Sequence, residues 1–225
     1  MLKFIFGCFV LLGLIENGRA VSTLPFTESF EVNSSGWVYG TSTSPTWVAN
    51  GGAEGSAYIS GSASVIGTGF GTIVFRANNA NNASGDAFVG DWLSAGVTSF
   101  SAYVRHNADV ALNFYARFDA GSGRAASSVN FLVNPNSWTF LELPISNETT
   151  SFQSYGAAGT GATAFNTIFG GVQNVQIALA VDQANAGKAV TVDLDGVSRV
   201  PEPGVGTLTA IASLLLFLGR RYRKF

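Results

Sequence analysis

The side chains that could carry out chemistry in this sequence are few. His106 is the single histidine of the 225 residues, and Cys8 is the single cysteine. A nucleophilic triad would have to use His106 with Asp109 nearby, and the sequence has no G-x-S-x-G nucleophile motif. His106 is therefore interpreted as a surface histidine at a turn. No cluster of His and Cys residues predicts a zinc site. The residue types favour a protein that is not an enzyme.

Four carboxylates at the two ends of the central region predict a structural calcium site. Glu28 and Glu31 lie in the segment FTESFE, and Asp193 and Asp195 lie in VTVDLDG. Domain termini commonly lie close together, so these carboxylates are expected to meet, and like charges at short range repel each other. A calcium ion, which takes about six to eight oxygen ligands, would relieve that repulsion. The alternative is that the four side chains are solvated on an outer face.

Two neighbouring segments with aromatic and polar side chains predict a surface that binds a saccharide. Apolar and polar residues alternate over 98–106 and 110–118. A three-residue loop at 107–109 would join them as a hairpin in which residue 106 pairs with residue 110. Planar rings beside hydrogen-bonding groups suit a sugar, and an ordinary solvated face is the alternative. The candidate binding residues are Tyr103, Arg105, Asn113, Tyr115 and Arg117.

The same alternation, repeated along residues 21–199, predicts the fold. Gly-, Asn- and Ser-rich segments such as NGGAEGS and DAGSGR separate short strands, and no helical period is sustained. The sequence therefore predicts an all-β domain, an antiparallel two-sheet β-sandwich of jelly-roll type. The segment 156–163 is expected to be a loop. Trp138 alternates with Phe140 and is assigned to the core, whereas Trp92, beside a turn, is expected to be more exposed.

The two ends of the chain predict export and membrane insertion. Residues 1–20 combine Lys3, an apolar stretch and small residues at Gly18 and Ala20, which is the pattern of a secretory signal peptide cut by signal peptidase. Residues 204–219 are uncharged and would form a short C-terminal transmembrane helix of about 24 Å. The stop-transfer cations that follow it, and that stay on the cytoplasmic side, are Arg220, Arg221, Arg223 and Lys224.

The charge of the chain argues against nucleic acid as a partner. The chain has 14 acidic and 12 basic residues and a net charge of −2. A surface that binds nucleic acid needs clustered lysine and arginine, and here the cationic cluster stands at the end of the chain. Because Cys8 lies within the signal peptide, the exported domain has no disulfide and depends on its hydrophobic core.

The C-terminal segment 200–225 resembles a known sorting signal. Val200-Pro201-Glu202-Pro203, a short apolar segment and a terminal cationic cluster stand in the order of the PEP-CTERM signal of Gram-negative bacteria. The resemblance implies that an exosortase in the inner membrane recognises Pro201, Glu202 and Pro203 and removes the tail. It also implies a secreted protein that reaches the cell surface or the extracellular matrix and is associated with exopolysaccharide and biofilm.

The central region more loosely resembles carbohydrate-binding-module-like jelly rolls. The resemblance rests on Phe30-Glu31 followed by Gly36-Trp37 near the start, and on the closing segment DLDGV at 193–197. It implies a structural calcium ion between the two ends of the domain. In this chain a leucine separates the two acids of the closing segment, which are adjacent in those modules.

Three functions are compatible with these features. The leading prediction is a secreted, exosortase-sorted surface or matrix protein whose non-enzymatic β-sandwich associates with exopolysaccharide. The second is a glycan-binding module that uses the Tyr/Asn/Arg sheet face. The third is a polysaccharide-processing enzyme with a pair of catalytic carboxylates, for which no motif is present.

Overall fold

The computed structural model describes residues 24–148 and 150–201, and β-strands are their main element. The strands are β1 (Phe26–Glu28), β2 (Val38–Tyr39), β3 (Thr46–Val48), β4 (Tyr58–Ser64), β5 (Thr72–Asn78), β6 (Val97–His106), β7 (Leu112–Asp119), β8 (Arg124–Ser128), β9 (Phe131–Val133), β10 (Thr139–Pro144), β11 (Phe152–Gly156), β12 (Asn174–Leu179) and β13 (Ala189–Pro201). One α-helix, α1 (Gly161–Phe169), lies among the described residues.

Both ends of the chain that carry the predicted export signals lie outside the described residues. These are the signal peptide 1–20, the motif residues Glu202 and Pro203, the apolar segment 204–219 and the four tail cations. Within 24–148 and 150–201, no helix has the length and apolar character needed to cross a membrane.

The strands form two antiparallel sheets. The six-stranded sheet has the order β10-β6-β13-β4-β3, with β1 also paired to β13. The seven-stranded sheet has the order β11-β8-β7-β12-β5-β2, with β9 also paired to β7. One hydrophobic cluster contains buried side chains from both sheets. The predicted all-β, antiparallel two-sheet β-sandwich is therefore confirmed.

The alternation that predicted the strands also assigns their buried faces correctly. In β7, Leu112, Phe114 and Phe118 are buried in the core, whereas Asn113 and Arg117 point to the outside. Because successive side chains of a strand point to opposite faces, the polar set of β7 must lie on the outer face of the seven-stranded sheet.

The first and last strands are neighbours, as predicted from the proximity of domain termini. β1 pairs with β13 so that Thr27 lies opposite Ser198, and the two hydroxyl oxygens are 3.0 Å apart. β13 continues as far as Pro201, which pairs with Val97 of β6. The first proline of the Pro-Glu-Pro motif, Pro201, is therefore the last residue of β13.

The predicted hairpin between the segments 98–106 and 110–118 is wrong. β6 pairs with β10 and β13, whereas β7 pairs with β8, β9 and β12, so the two strands belong to opposite sheets. Their even-numbered residues face each other across the core: the rings of His106 and Phe114 stack with centroids 5.7 Å apart. Alternation identifies which face of a strand is buried, and it does not identify the strand that lies beside it.

The segment predicted as a loop at 156–163 contains the start of a helix. α1 begins at Gly161, and its buried residues are Ala164, Phe165, Ile168 and Phe169. These positions follow the i, i+1, i+4, i+5 spacing of an amphipathic helix, which is visible in the sequence over a single short segment.

Two tryptophans have burial opposite to that expected. Trp92 is fully buried, and its ring contacts Phe118 with the centroids 5.3 Å apart. Trp138 lies just before β10 on the outer face of the six-stranded sheet, where it is half-buried. The ring of Trp138 meets Tyr58 at 5.6 Å, outside the core.

Candidate functional site

A groove of about 720 Å³ runs over the outer face of the seven-stranded sheet. Its floor is formed by Tyr115 and Arg117 of β7 and by Ser127 of β8, and Ser127 lies opposite Arg117 in the ladder. The loop before β5 borders it on one side, and β11 with Gln153 borders it on the other. We call this feature the sheet groove. Its volume is within the range of sites that bind small molecules.

The apolar part of the floor is built around Tyr115. Its ring packs with Ala178 and Ala180, against the partly buried Ile73. The Tyr115 hydroxyl donates a hydrogen bond to the carbonyl oxygen of Phe70 in the bordering loop. Burial raises the pKa of the Tyr115 hydroxyl above its ordinary value, more than Arg117 lowers it. The hydroxyl therefore stays protonated at neutral pH and holds the loop over the floor.

That loop presents a phenylalanine ring to solvent. Phe70 is 95% exposed and lies between Gly69 and Gly71, whose φ angles are +87° and +89°. A Cβ at Gly71 would lie 2.3 Å from the carbonyl oxygen of Leu179, so this position requires glycine on both steric and conformational grounds. The exposed ring stands at the edge of the groove, where a ligand in the groove could contact it. In the sequence, the setting of Phe70 in GTGFGT indicates a tight turn but does not indicate a binding residue.

The polar part of the floor is built around Arg117. Its Nη1 donates to Asp119 Oδ2 and to Gln176 Oε1, each at 2.8 Å. The other carboxylate oxygen of Asp119 accepts from the backbone N–H of Gly121 at 2.7 Å. Arg117 is thus fixed through Nη1, and its side chain lines the groove. The described residues that line the groove include no Asp, Glu or His.

No protein-family model matches the chain, and no curated protein matches it. Solved structures do. The family 11 carbohydrate-binding module from Clostridium thermocellum, solved with a β-1,3-1,4-mixed-linked tetrasaccharide, matches 79% of this chain and 95% of its own, with a TM-score of 0.50 and 13% identity. The sandwich has the jelly-roll fold of that module.

Two enzymes also match the jelly roll over part of their length. An exo-β-agarase matches 79% of this chain and 26% of its own, with a TM-score of 0.52 and 12% identity. Xylanase 10B of Clostridium thermocellum, solved as its CBM22-1 and GH10 modules with xylohexaose, matches 79% of this chain and 28% of its own, with a TM-score of 0.47 and 16% identity. This chain therefore spans only about a quarter of the length of either enzyme.

The five residues predicted to bind a glycan lie on two opposite surfaces of the jelly roll. Tyr115 and Arg117 form the floor of the sheet groove, and Asn113 lies on the same face, beside β9. Tyr103 and Arg105 are on β6, on the outer face of the six-stranded sheet. The single platform that a hairpin would have made is therefore absent from the described residues, and only its β7 half belongs to the groove.

On the outer face of the six-stranded sheet, the Arg105 side chain is already in contact with neighbouring side chains. The Arg105 guanidinium lies over the ring of Trp138 at 4.4 Å and over the ring of Tyr58 at 5.0 Å. Its Nη2 also pairs with Asp193 Oδ2 at 2.8 Å. Nearby, Tyr103 packs on Phe140, with ring centroids 4.9 Å apart. The cation–π contacts with the two rings and the ion pair with Asp193 occupy the guanidinium, so they explain this cluster as structural.

The two closing carboxylates predicted to bind calcium have protein partners instead. Asp193 is paired with Arg105 on the outer face. Asp195 is buried. Its Oδ2 accepts from the N–H of Ala53 at 2.8 Å and from the hydroxyl of Ser56 at 2.7 Å. Its Oδ1 accepts from the N–H of Gly196 at 2.6 Å. The repulsion that a calcium ion would have relieved is therefore already balanced.

The two opening carboxylates, Glu28 and Glu31, do not form a cluster with Asp193 and Asp195. Glu28 Oε1 accepts from the backbone N–H of Phe30 at 2.8 Å, and Glu31 is exposed. Glu28 lines a shallow cavity of about 420 Å³ together with oxygen-bearing residues such as Asn33 and Asn82. Over 24–148 and 150–201, no three His, Cys, Asp or Glu side chains are grouped so that they could hold a metal ion. The predicted four-carboxylate site is wrong, because Glu28 lies opposite Val197 in the ladder and both closing carboxylates are bound to other partners.

His106 is a core residue and not the predicted surface histidine. It is buried, its Nδ1 accepts from the backbone N–H of Ala108 at 3.2 Å, and its Nε2 is 3.0 Å from the carbonyl oxygen of Val133. The two contacts require the neutral tautomer with a proton on Nε2. His106 therefore satisfies backbone groups where β6 ends, and it does not face the sheet groove.

Proposed function

We propose that this chain is a non-catalytic glycan-binding module that holds a polysaccharide in the sheet groove. The observation that carries the proposal is the 95% exposed ring of Phe70 at the edge of a groove whose floor and far side offer polar side chains. A sugar ring presents an apolar face and a rim of hydroxyl groups. It therefore needs an aromatic surface to stack on and hydrogen-bonding groups around it.

The groove supplies both kinds of contact. Phe70 offers the stacking surface, and Arg117, Ser127 and Gln153 offer donors and acceptors for hydroxyl groups. The likeness to the family 11 carbohydrate-binding module, solved with a mixed-linked tetrasaccharide, supports a glycan as the ligand. The lack of Asp, Glu and His among the described groove residues supports binding without hydrolysis, because glycosidases generally need a pair of carboxyl groups.

The proposal predicts that Phe70→Ala weakens glycan binding without affecting folding. Loss of one stacking surface is expected to reduce affinity roughly tenfold. Because Phe70 makes almost no buried contact, the melting temperature should stay that of the native protein. The measurement is isothermal titration calorimetry against xylohexaose, a mixed-linked β-1,3-1,4 tetrasaccharide, agaro-oligosaccharides and acidic polysaccharides.

Phe140→Ala is the matched control, because Phe140 is an exposed phenylalanine (48%) on the opposite sheet. It should leave glycan affinity unchanged. Equal weakening by both substitutions would place the site elsewhere, and no binding to any glycan in the panel would overturn the proposed function.

We also propose that the module is exported across the inner membrane and sorted to the cell surface, where it associates with exopolysaccharide of the biofilm matrix. The support is the sequence of the two ends: a signal peptide for signal peptidase, and Pro201-Glu202-Pro203 with the apolar segment 204–219 and the cationic tail for an exosortase. Removal of the tail predicts a mature C-terminus near Pro203 in mass spectrometry of the surface form. An intact Phe225 on that form would rule out sorting by cleavage.

A further inference from the structure

We infer that the glycan held by the sheet groove is anionic, and that a carboxylate or sulfate group of the sugar binds beside the groove, between Arg117, which lines it, and Arg76, which lies outside its lining on the same sheet face. The inference rests on the proposed function and names the chemical class of its ligand. Its basis is a pair of guanidinium groups on one sheet face that the protein itself neutralises only in part.

The sheet places the two arginines on the same face with one residue between them. Gln176 of β12 has Arg76 of β5 as its partner on one side and Arg117 of β7 as its partner on the other. Directly opposed residues in antiparallel strands project to the same face. Adjacent strands are about 4.8 Å apart, so the backbones of the two arginines are roughly 10 Å apart. Two long side chains can converge on one oxyanion across that distance.

The hydrogen bonds around the pair are unequal. Arg117 is held by Asp119 and Gln176, and the second oxygen of Asp119 is occupied by the N–H of Gly121. The Nε atom of Arg76, in contrast, is buried and has no hydrogen-bond partner among residues 24–148 and 150–201. Buried donors without a partner are rare in folded proteins, and a guanidinium is always charged. Arg76 is therefore the guanidinium of the pair whose donors the protein satisfies less completely.

The electrostatic environment favours an added negative charge at this position. Burial lowers the pKa of Arg76, the positive charge of Arg117 acts in the same direction, and the attraction of Asp119 is the smallest of the three effects. The protonated form of Arg76 is thus less stable here than in water. An oxyanion bound between the two arginines would offset both the burial and the repulsion, and planar guanidinium groups bind carboxylate and sulfate through paired hydrogen bonds.

The experiment compares charged and neutral polymers on the native protein and on Arg76→Gln. The probes are polygalacturonate, a sulfated galactan, agarose and a mixed-linked β-glucan, tested by affinity electrophoresis at low and high ionic strength. We expect preferential binding to one or both anionic polymers, a loss of roughly tenfold or more in Arg76→Gln, and weaker binding at high salt because ions screen the attraction. The two anionic probes separate a carboxylate ligand from a sulfate ligand.

Arg105→Gln is the matched control, because it removes the same charge from the opposite outer face of the jelly roll. It should leave binding to the anionic polymer unchanged, so an equal loss in both variants would overturn the inference as an effect of net charge. Arg76→Lys keeps the charge without the planar donor pair and should bind with intermediate affinity. This variant serves as the test if Arg76→Gln has a lower melting temperature.

Two negative results have different meanings. Equal affinity for neutral and anionic polymers, unchanged in Arg76→Gln, would overturn the anionic ligand and leave the proposed function intact. No binding to any of the four polymers would overturn the proposed function together with this inference.

Discussion

Trp92→Ala is expected to lower the free energy of unfolding by about 3–5 kcal/mol. Trp92 is fully buried, and its ring lies 5.3 Å from Phe118 of the seven-stranded sheet, 6.3 Å from Phe100 of the six-stranded sheet and 6.1 Å from Phe169 of α1. Its removal leaves a cavity where both sheets and the helix meet. Because domains are stable by about 5–15 kcal/mol, this is a large part of the total. Urea denaturation of the two proteins measures the difference.

Trp138→Ala is the control for this prediction, because it removes the same side chain from an outer face. The loss should be about 1–2 kcal/mol, from the cation–π contact with Arg105 and the packing on Tyr58. If Trp138→Ala destabilised the protein more than Trp92→Ala, the assignment of Trp92 to the core would be wrong.

The sequence could predict which faces of the strands are buried, because that information is local. In β7 the alternation of Leu112, Phe114 and Phe118 with Asn113 and Arg117 is sufficient to place each side chain inside or outside. The pairing of strands is not local. β6 is followed by β7 in the chain, yet its sheet partners are β10 and β13, which come from distant parts of the sequence.

The same limit explains the errors about single residues. His106 and Trp138 have a residue type and a local setting, but their burial depends on partners from other elements. The Val133 carbonyl near His106 is 27 residues away, and the Gly51 carbonyl that accepts from Trp138 Nε1 is 87 residues away. Such partners follow from the tertiary fold, and no spacing within one strand indicates them.

The sequence could predict only those residues of the candidate site that a local pattern identifies. Tyr115 and Arg117 were identified because they share the outer face of one strand, which is a local property. Arg76, which lies outside the groove lining, was missed because its position beside Gln176 depends on the pairing of β5 with β12, 100 residues later. Phe70 was missed because an exposed phenylalanine has no periodic pattern. Its exposure depends on a turn in which Gly71 lies against the backbone of Leu179.

Asp195→Ala is expected to lower the free energy of unfolding by about 3 kcal/mol. The buried carboxylate joins the loop before β4 to β13 by accepting from the N–H of Ala53 and the hydroxyl of Ser56, and it also accepts from the N–H of Gly196. Alanine would leave three donors without an acceptor, two of them in a segment far from residue 195 in sequence. Besides the loss of stability in urea, faster amide hydrogen exchange at Ala53 is expected.

Asp193→Ala provides the comparison within the same strand, because both carboxylates lie on the outer face of β13 and both were predicted to bind calcium. Asp193 is paired with Arg105 near the surface, where an ion pair contributes about 1 kcal/mol or less. Amide exchange at Ala53 should be unchanged in this variant. If the two substitutions destabilised the protein equally, and only in the presence of calcium, the carboxylates would be metal ligands. If Asp195 acts through its direct hydrogen bonds, the loss of unfolding free energy should be the same with and without calcium, and it should be larger for Asp195→Ala than for Asp193→Ala.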